Sequence, residues 1–443
     1  MKNSIDKEFN FYSLFKFALP TIVMIVFMSL YTIVDGLFVS RFIGTTALSA
    51  VNIVYPIYNV IIAIGLMFAT GGSAVIAKKM GEGESQAARE NFSLIVLVGV
   101  MIGLIILVVG IAFIKPLVVL LGANEAVLQL CLDYGRTFLF FTPLAILQML
   151  FQCFFVTAGK PELGLVMTIV GGCTNIVLDY IFIVPMQMGI VGAAIATGIG
   201  ITIPAVFGML YFTFLRKGTL YFVKPKLDKK VLWDSCFNGS SEMVSNIALA
   251  VVTFLYNIIM MKYLGENGVA AITIMLYAQF LLNAVFMGFS MGVSPIISFN
   301  YGSQNIIQIK KIFRYCITFI VVSSIISYAV ATLSAPLLVQ LFVPKNSVVY
   351  NITIEKFYIF SINFLFAGIN IFTSAMFTAF SNGRVSAIVS FMRTFVFITA
   401  GLIILPLIWG IEGVWYAMTI AEFLAMIMCI IYLAVFRKDY HYA

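Results

Sequence analysis

A chain of 443 residues that is 62% hydrophobic and 10% charged, with a mean hydropathy of +1.09, lies outside the range of soluble globular domains and reads as an all-α polytopic membrane protein. The formal net charge of +8 could point to nucleic acid, but the basic residues follow membrane topology instead, so no nucleic-acid partner is expected. The six cysteines stand singly and the one histidine, His441, is third from the end. Neither a disulfide framework nor a histidine-based metal or catalytic centre is expected in the membrane.

Windows of about 20 apolar residues, the length that crosses a bilayer core of about 30 Å, centre near residues 25, 61, 103, 144, 175, 203, 249, 284, 324, 367, 396 and 423. They predict twelve transmembrane helices. With the N-terminus in the cytoplasm, 20 of the 26 Lys and Arg residues are assigned to the cytoplasmic side, Arg393 among them although it falls inside a span, against Arg41, Lys115, Arg136, Lys262, Lys345 and Lys356 outside. This asymmetry predicts a multi-pass protein of the cell membrane (inner or plasma membrane) with both termini cytoplasmic. The first sixteen residues are too polar for a cleaved signal peptide, so the first span is expected to direct insertion itself.

Residues 12–40 form the first span, which Pro20 can bend and which carries Asp35 toward its outer end. The second span closes in the charged stretch AKKMGEGESQAAREN, a connection to the third. Span four ends in FVTAGKPELG, where Gly159, Pro161 and Gly164 make a tight turn. The run from Gly171 to Gly200 follows, with a single acid, Asp179, one helical turn after Asn175 and on the same face. A carboxylate in such a segment costs about 3 kcal/mol on insertion scales, so a use for it is expected. The span stops at Val184-Pro185, turns at Gln187-Met188-Gly189, and restarts near Ile190. Thr197 on the returning helix therefore comes to the depth of Asp179, both roughly 10 Å from one membrane face. We read Asp35, Asn175, Asp179 and Thr197 as an ion site. The competing reading makes Asp179 a hydrogen-bonded structural acid, leaves Asp35 near an interface where charge is cheap, and treats Asn175 and Thr197 as helix-to-helix glue.

Residues 216–234 carry the densest charge and are taken as a cytoplasmic linker between an N-terminal six-helix lobe (1–215), which holds the cation site, and a C-terminal six-helix lobe (235–443). An internal repeat at an offset of 221 residues supports two lobes: Gly44 matches Gly265, Ala50 matches Ala271, Ser73 matches Ser294, Gly81 matches Gly302, Pro185 matches Pro406, Gly189 matches Gly410, Gly192 matches Gly413 and Ala196 matches Ala417. Six spans per half give both halves the same orientation, related by an axis along the membrane normal. The polar residues do not repeat: Asp35 pairs with Tyr256, Asn175 with Val396, Asp179 with Ala400 and Thr197 with Met418. In the second half, Glu242 and Asn246 stand one turn apart near the cytoplasmic end of span seven, where a gate or a substrate contact is equally open. Arg393 and Glu422, in neighbouring spans, are expected to form a structural ion pair, since buried charges are normally paired. The 22 methionines and the 15% aromatic share would suit a re-packable cavity, though such residues more often fill cores and face lipid.

The strings VDGLFVSRFIGTTALSA, AKKMGEGE, FVTAGKPELGL, TNIVLDYIFI, GIVGAAIAT and NGSSEMVSNIA together resemble the multidrug and toxic compound extrusion (MATE) transporters over essentially the whole chain. The resemblance implies two six-helix lobes, alternating access, and export of amphipathic, often cationic compounds in exchange for protons or sodium ions. In the DNA-damage-inducible F (DinF-like) branch the cation site lies in the N-terminal lobe, and its motif residues fall on Asp35, Asn175, Asp179 and Thr197. The NorM type instead uses acids in spans seven and ten, and residues 357–380 contain none. The expectation is a secondary antiporter with no catalytic residues and no cofactor beyond H+ or Na+ as coupling ion, the four residues serving as ligands if sodium is used. Its partners would be small amphipathic, cationic substrates and the bilayer, and a monomer is expected. A flippase for lipid-linked precursors is the alternative, but it should line its cavity with several basic residues, and Arg393 is the only one deep in a span. A membrane-embedded enzyme would need a catalytic constellation that the sequence lacks, and a passive channel would never transport uphill.

Overall fold

The computed structural model describes residues 5–216 and 218–442, so the expectations that fall on Lys2, Lys217 and the outermost residues of both termini lie outside the described residues. The first half contains α1 (Phe11–Phe38), α2 (Thr45–Gly81), α3 (Ser85–Leu120), α4 (Glu125–Leu139), α5 (Thr142–Thr157), α6 (Pro161–Ile183) and α7 (Gly189–Phe214). The second half contains α8 (Lys229–Gly302), α9 (Ile306–Gln340), α10 (Val348–Ser361), α11 (Phe364–Ala379), α12 (Gly383–Phe391), α13 (Ile398–Trp409), α14 (Ile411–Val435) and a short α15 (Arg437–Tyr440). Two π-helical turns, Val39–Ile43 and Met392–Phe397, extend α1 and join α12 to α13.

Among the described residues, nine helical stretches are long and apolar enough to cross a membrane, and the exceptions explain the remaining crossings. At 1.5 Å per residue the 74 residues of α8 would span roughly 110 Å if straight. The helix breaks at Gly265, whose φ of 62° and ψ of −149° are not helical, and so supplies two crossings. The pairs α4–α5 and α10–α11 are each bent, by 54° and 52°, and each supplies one. Twelve crossings result, six in each half. The sequence had predicted spans four and ten as single helices. The bend in span four is explained by Pro143 in the first turn of α5. Span ten bends at the repeat-related position without a proline, where the Asn363 side chain instead donates to the carbonyl of Phe360.

The repeated glycines mark the turns. Gly189 and Gly410 both have φ of 58°, and for Gly410 the ψ of −139° puts the backbone in a region that residues with a Cβ rarely enter. Gly410→Ala should therefore destabilise the detergent-solubilised protein by about 1–3 kcal/mol, read as a lowered midpoint of thermal unfolding.

The lobes meet along α2 and α8, at the end of the molecule that carries the chain termini. A side chain on Gly71 would strike the carbonyl of Ser235, and one on Gly239 the carbonyl of Met67. The repeat reproduces this crossing: Gly292, the partner of Gly71, lies against Ala18, the partner of Gly239. Further along, Gly81 and Gly302 pack against the backbone at Phe299 and Lys78. Ile5, Phe9 and Tyr442 are buried there, Gln308 donates to the carbonyl of Phe9 at 3.0 Å, and Lys78 lies over the Tyr301 ring. One continuous core joins the lobes at this end. At the far end the second lobe has its own core, including Tyr256, Met275, Phe357, Trp415 and Met418. At that end the described residues of the two lobes share no buried core.

The charged connection is not a free tether. The Phe222 amide donates to the carbonyl of Phe212 and the Val223 amide to Ser93 Oγ, both at 3.0 Å. Arg89 donates to the carbonyl of Thr219 and stacks on Tyr221. From Lys229 the chain is already helical.

Candidate functional site

The first-lobe site is built by two close helix crossings. Helices α6 and α7 touch backbone to backbone at Gly171 and Gly200, neither of which has room for a side chain. One turn further along α6 this brings the Asn175 amide to Thr197, with Nδ2 donating to Oγ1 at 3.4 Å. Thr197 in turn donates to the carbonyl of Ala193 at 3.0 Å, which leaves the lone pairs of its hydroxyl facing Asn175. Helix α1 packs on α6 where Phe27 and Tyr31 cover Gly172. Because α1 and α6 run in the same direction, Asp35, one turn past Tyr31, arrives beside Asp179, two turns past Gly172.

The two carboxyl groups lie within electrostatic range of each other, with Asn175 adjoining Asp179. Asp179 is 0% and Asn175 2% exposed. Both Asp179 oxygens, Asp35 Oδ1 and Asn175 Oδ1 are buried and accept no hydrogen bond from any N–H or O–H. Unpartnered buried acceptors are rare in folded proteins, and four together without a donor match what a hard cation or a shared proton needs. Asp35 differs from its expected place near an interface: α1 continues through the π-helical turn to Ile43, so Asp35 lies more than two turns inside the end of the span.

The sequence did not single out Tyr31, Tyr58 and Tyr134, whose hydroxyls lie within electrostatic range of Asp35. Only their tyrosine character within apolar helices could have marked them. The second lobe carries apolar packing at the repeat-related positions. Tyr256, the counterpart of Asp35, is 0% exposed and packs beside Met418, the counterpart of Thr197.

A second polar group lies within the C-terminal lobe. Arg393, on the π-helical turn, donates from Nε to both Glu422 carboxylate oxygens at 3.0 Å and from Nη2 to Oε1 at 2.8 Å. Glu422 also accepts from Asn370 Nδ2 at 2.7 Å. Asn370, fully buried in α11, was overlooked in the sequence, although a lone amide in an apolar helix is itself a signal. Glu242 was placed near the end of its span. It stands just beyond Gly239 at the lobe crossing, half-buried, within electrostatic range of Arg393 and of Cys153 in the other lobe. Asn246 does not reach its carboxylate and donates instead to the Glu242 backbone carbonyl at 2.8 Å.

Comparison with known proteins agrees with this architecture. The chain is 26% identical over 427 residues to the multidrug export protein MepA of Staphylococcus haemolyticus, covering 94% of this chain and 92% of the relative. It is 24% identical over 443 residues to MepA of Staphylococcus aureus strain bovine RF122, covering 97% and 95%. Among solved structures, the crystal structure of MATE in complex with MaL6 superposes with a TM-score of 0.93 at 22% identity, over 99% of this chain and 100% of that one. An outward-facing multidrug resistance MATE family transporter of the MOP superfamily superposes with a TM-score of 0.90 at 22% identity, over 96% of each chain. The MatE family profile matches twice, at residues 20–181 and 243–403, once in each half of the repeat. The chain is therefore a multi-pass membrane protein that belongs to the MatE family, the multidrug and toxic compound extrusion transporters, and is not an enzyme.

Proposed function

We propose that the chain is a secondary active antiporter of the DinF-like branch that exports amphipathic, cationic small molecules in exchange for protons or sodium ions by alternating access. In this reading residues 1–215 are the ion-binding lobe, 216–234 the linker and 235–443 the partner lobe. Both termini face the cytoplasm, the protein sits in the cell membrane, and a monomer is the working unit. The multidrug export relatives support the cargo class.

The observation that carries the proposal is the Asp35–Asp179 pair, two carboxyl groups buried together among acceptors with no donor. Two adjoining carboxylates in low dielectric repel, and a proton or a sodium ion removes the repulsion. Loading the pair lets α1 close on α6, while unloading pushes the helices apart. Because α1 also packs against α8 at Gly288 and Gly292, that motion is transmitted to the lobe crossing. The flippase reading is weaker, because Arg393 is already engaged by Glu422 and cannot serve as a free phosphate contact.

The test is uphill accumulation of a fluorescent lipophilic cation by vesicles containing the purified protein, with sodium and pH gradients imposed separately. Accumulation under one gradient names the coupling ion; none under either defeats the proposal. Thr197→Val removes one oxygen from the shell and should raise the concentration of the coupling ion needed for half-maximal transport by about tenfold. Thr197→Ser should restore it.

A further inference from the structure

At the terminal end the two lobes are bridged by a segment that belongs to neither helical bundle. Residues 5–9 precede α1, the first helix of the first lobe, yet they lie on the second lobe where α8 passes into α9. Ile5 is 0% and Phe9 2% exposed. The Phe9 carbonyl accepts from Gln308 Nε2 of α9 at 3.0 Å, and Gln308 is itself buried. Two ring contacts between α1 and α9 continue the seam, Phe11 with Tyr315 and Phe15 with Phe319.

Between its anchors the strap is not sealed. Asp6, Lys7 and Glu8 on one side and Asn300, Ser303 and Asn305 on the other line a polar cavity of about 120 Å³, which has room for water. A short segment held at a few points over solvated ground is the kind of element that opens locally before its neighbours do. The repeat supplies a second, independent observation. Ile5 and Phe9 fall on Lys226 and Lys230, which are both exposed, and Gln308 falls on Ala87. The second half therefore starts its first helix without such a strap, and the contact exists on one side of the molecule only.

We propose that residues 5–9 are a latch that holds the lobes together at this end and leaves α9 each time the protein opens there. The inference rests on the alternating-access reading above, in which this end faces the cytoplasm and α1, the helix that carries Asp35, moves. Drawing α1 away from α9 would part Phe9 from Gln308 and bring Ile5 and Phe9 into water. The latch thus favours the closed state through two buried apolar side chains and one hydrogen bond.

Spin labels at Gln86 and Lys310, exposed sites near the starts of α3 and α9, read the separation of the lobes at this end in vesicles containing the full chain. Cys173 and Cys236, the two cysteines that are not buried, are replaced by Ser. Gln308→Leu leaves the Phe9 carbonyl without its donor, and Ile5→Ser combined with Phe9→Ser removes the apolar anchors at unchanged charge. Each should raise the ratio of open to closed molecules about tenfold, and thermal unfolding of each variant reports folding independently. A lock gives the complementary readout. With Glu8→Cys and Ser303→Cys joined by a short bis-methanethiosulfonate reagent, uphill export should stop and return on reduction, whereas either single-cysteine variant should export under the same treatment. A strap with a merely structural role would tolerate that bond.

Wild-type ratios in the folded variants, or full export by the joined pair, overturn the latch. Gly239→Val, which strains the lobe crossing and leaves the strap intact, separates the two ways of failing. If it lengthens the distance and the strap variants do not, the latch alone is wrong. If no variant lengthens it, this end does not open, and the alternating-access reading falls together with the latch.

Discussion

Asp179→Asn should reduce gradient-driven accumulation of a lipophilic cation to the level of vesicles without protein. The substitution keeps the shape of the side chain, so fold stability should change by about 1 kcal/mol or less. What it removes is the charge that makes loading matter. In the proposed cycle a neutral Asp179 would no longer alternate between repulsion of Asp35 and its relief, and α1 and α6 would lose their reason to move. Asp35→Asn should give the same phenotype, and the double variant should be no worse than either single one, because groups that act as a unit do not add. Downhill exchange of substrate is followed in the same vesicles: its survival in the variant would mean that coupling is lost while the pathway remains. Full uphill export by Asp179→Asn at matched protein content would remove the first-lobe site from the mechanism.

The second large effect is expected at the lobe crossing. Gly239→Val places a side chain against the carbonyl of Met67, where no rotamer change can make room because the obstacle is backbone. Overpacking of this kind costs about 1–3 kcal/mol, and here the strain bears on the contact between lobes more than on either lobe's own core. Export should fall severely, and spin labels at Lys78 and Ser303, near the ends of α2 and α8, should report a longer and broader distance distribution. Gly71→Val should act in the same way through Ser235. Wild-type distances with wild-type export in either variant would show that the crossing does not govern closure.

Much of this architecture was readable in the residues. The spacing of Asn175 and Asp179 sets one helical face, and Pro185 and Gly189 set a turn that brings Thr197 back toward it; the depth count matched Thr197 to Asp179, whereas the structure pairs it with Asn175, one turn earlier. The glycines that recur after 221 residues sit at turns and close crossings, so backbone geometry preserved their pattern in both halves. Other features depend on contacts that no local pattern encodes. The depth of Asp35 depends on α1 running on through a π-helical turn, and a hydropathy window does not register a change in helix pitch. The bends in spans four and ten share a position but not a cause, proline in one and a side-chain amide in the other. Asn370 meets Glu422 across 52 residues of sequence, a pairing that only packing creates.

The tyrosine at position 256 has a consequence for electrical work. Because this tyrosine stands at the repeat position of Asp35, the proposed exporter would have a single acid pair to load in each cycle. Exchange of one monovalent organic cation for one counter-ion moves no net charge, and membrane voltage then neither drives nor opposes it. Loading both carboxyls would carry one charge inward per cation expelled, and a potential of 100 mV, negative inside, would add about 2.3 kcal/mol to the driving force. The voltage dependence of export therefore counts the ions that the one pair accepts.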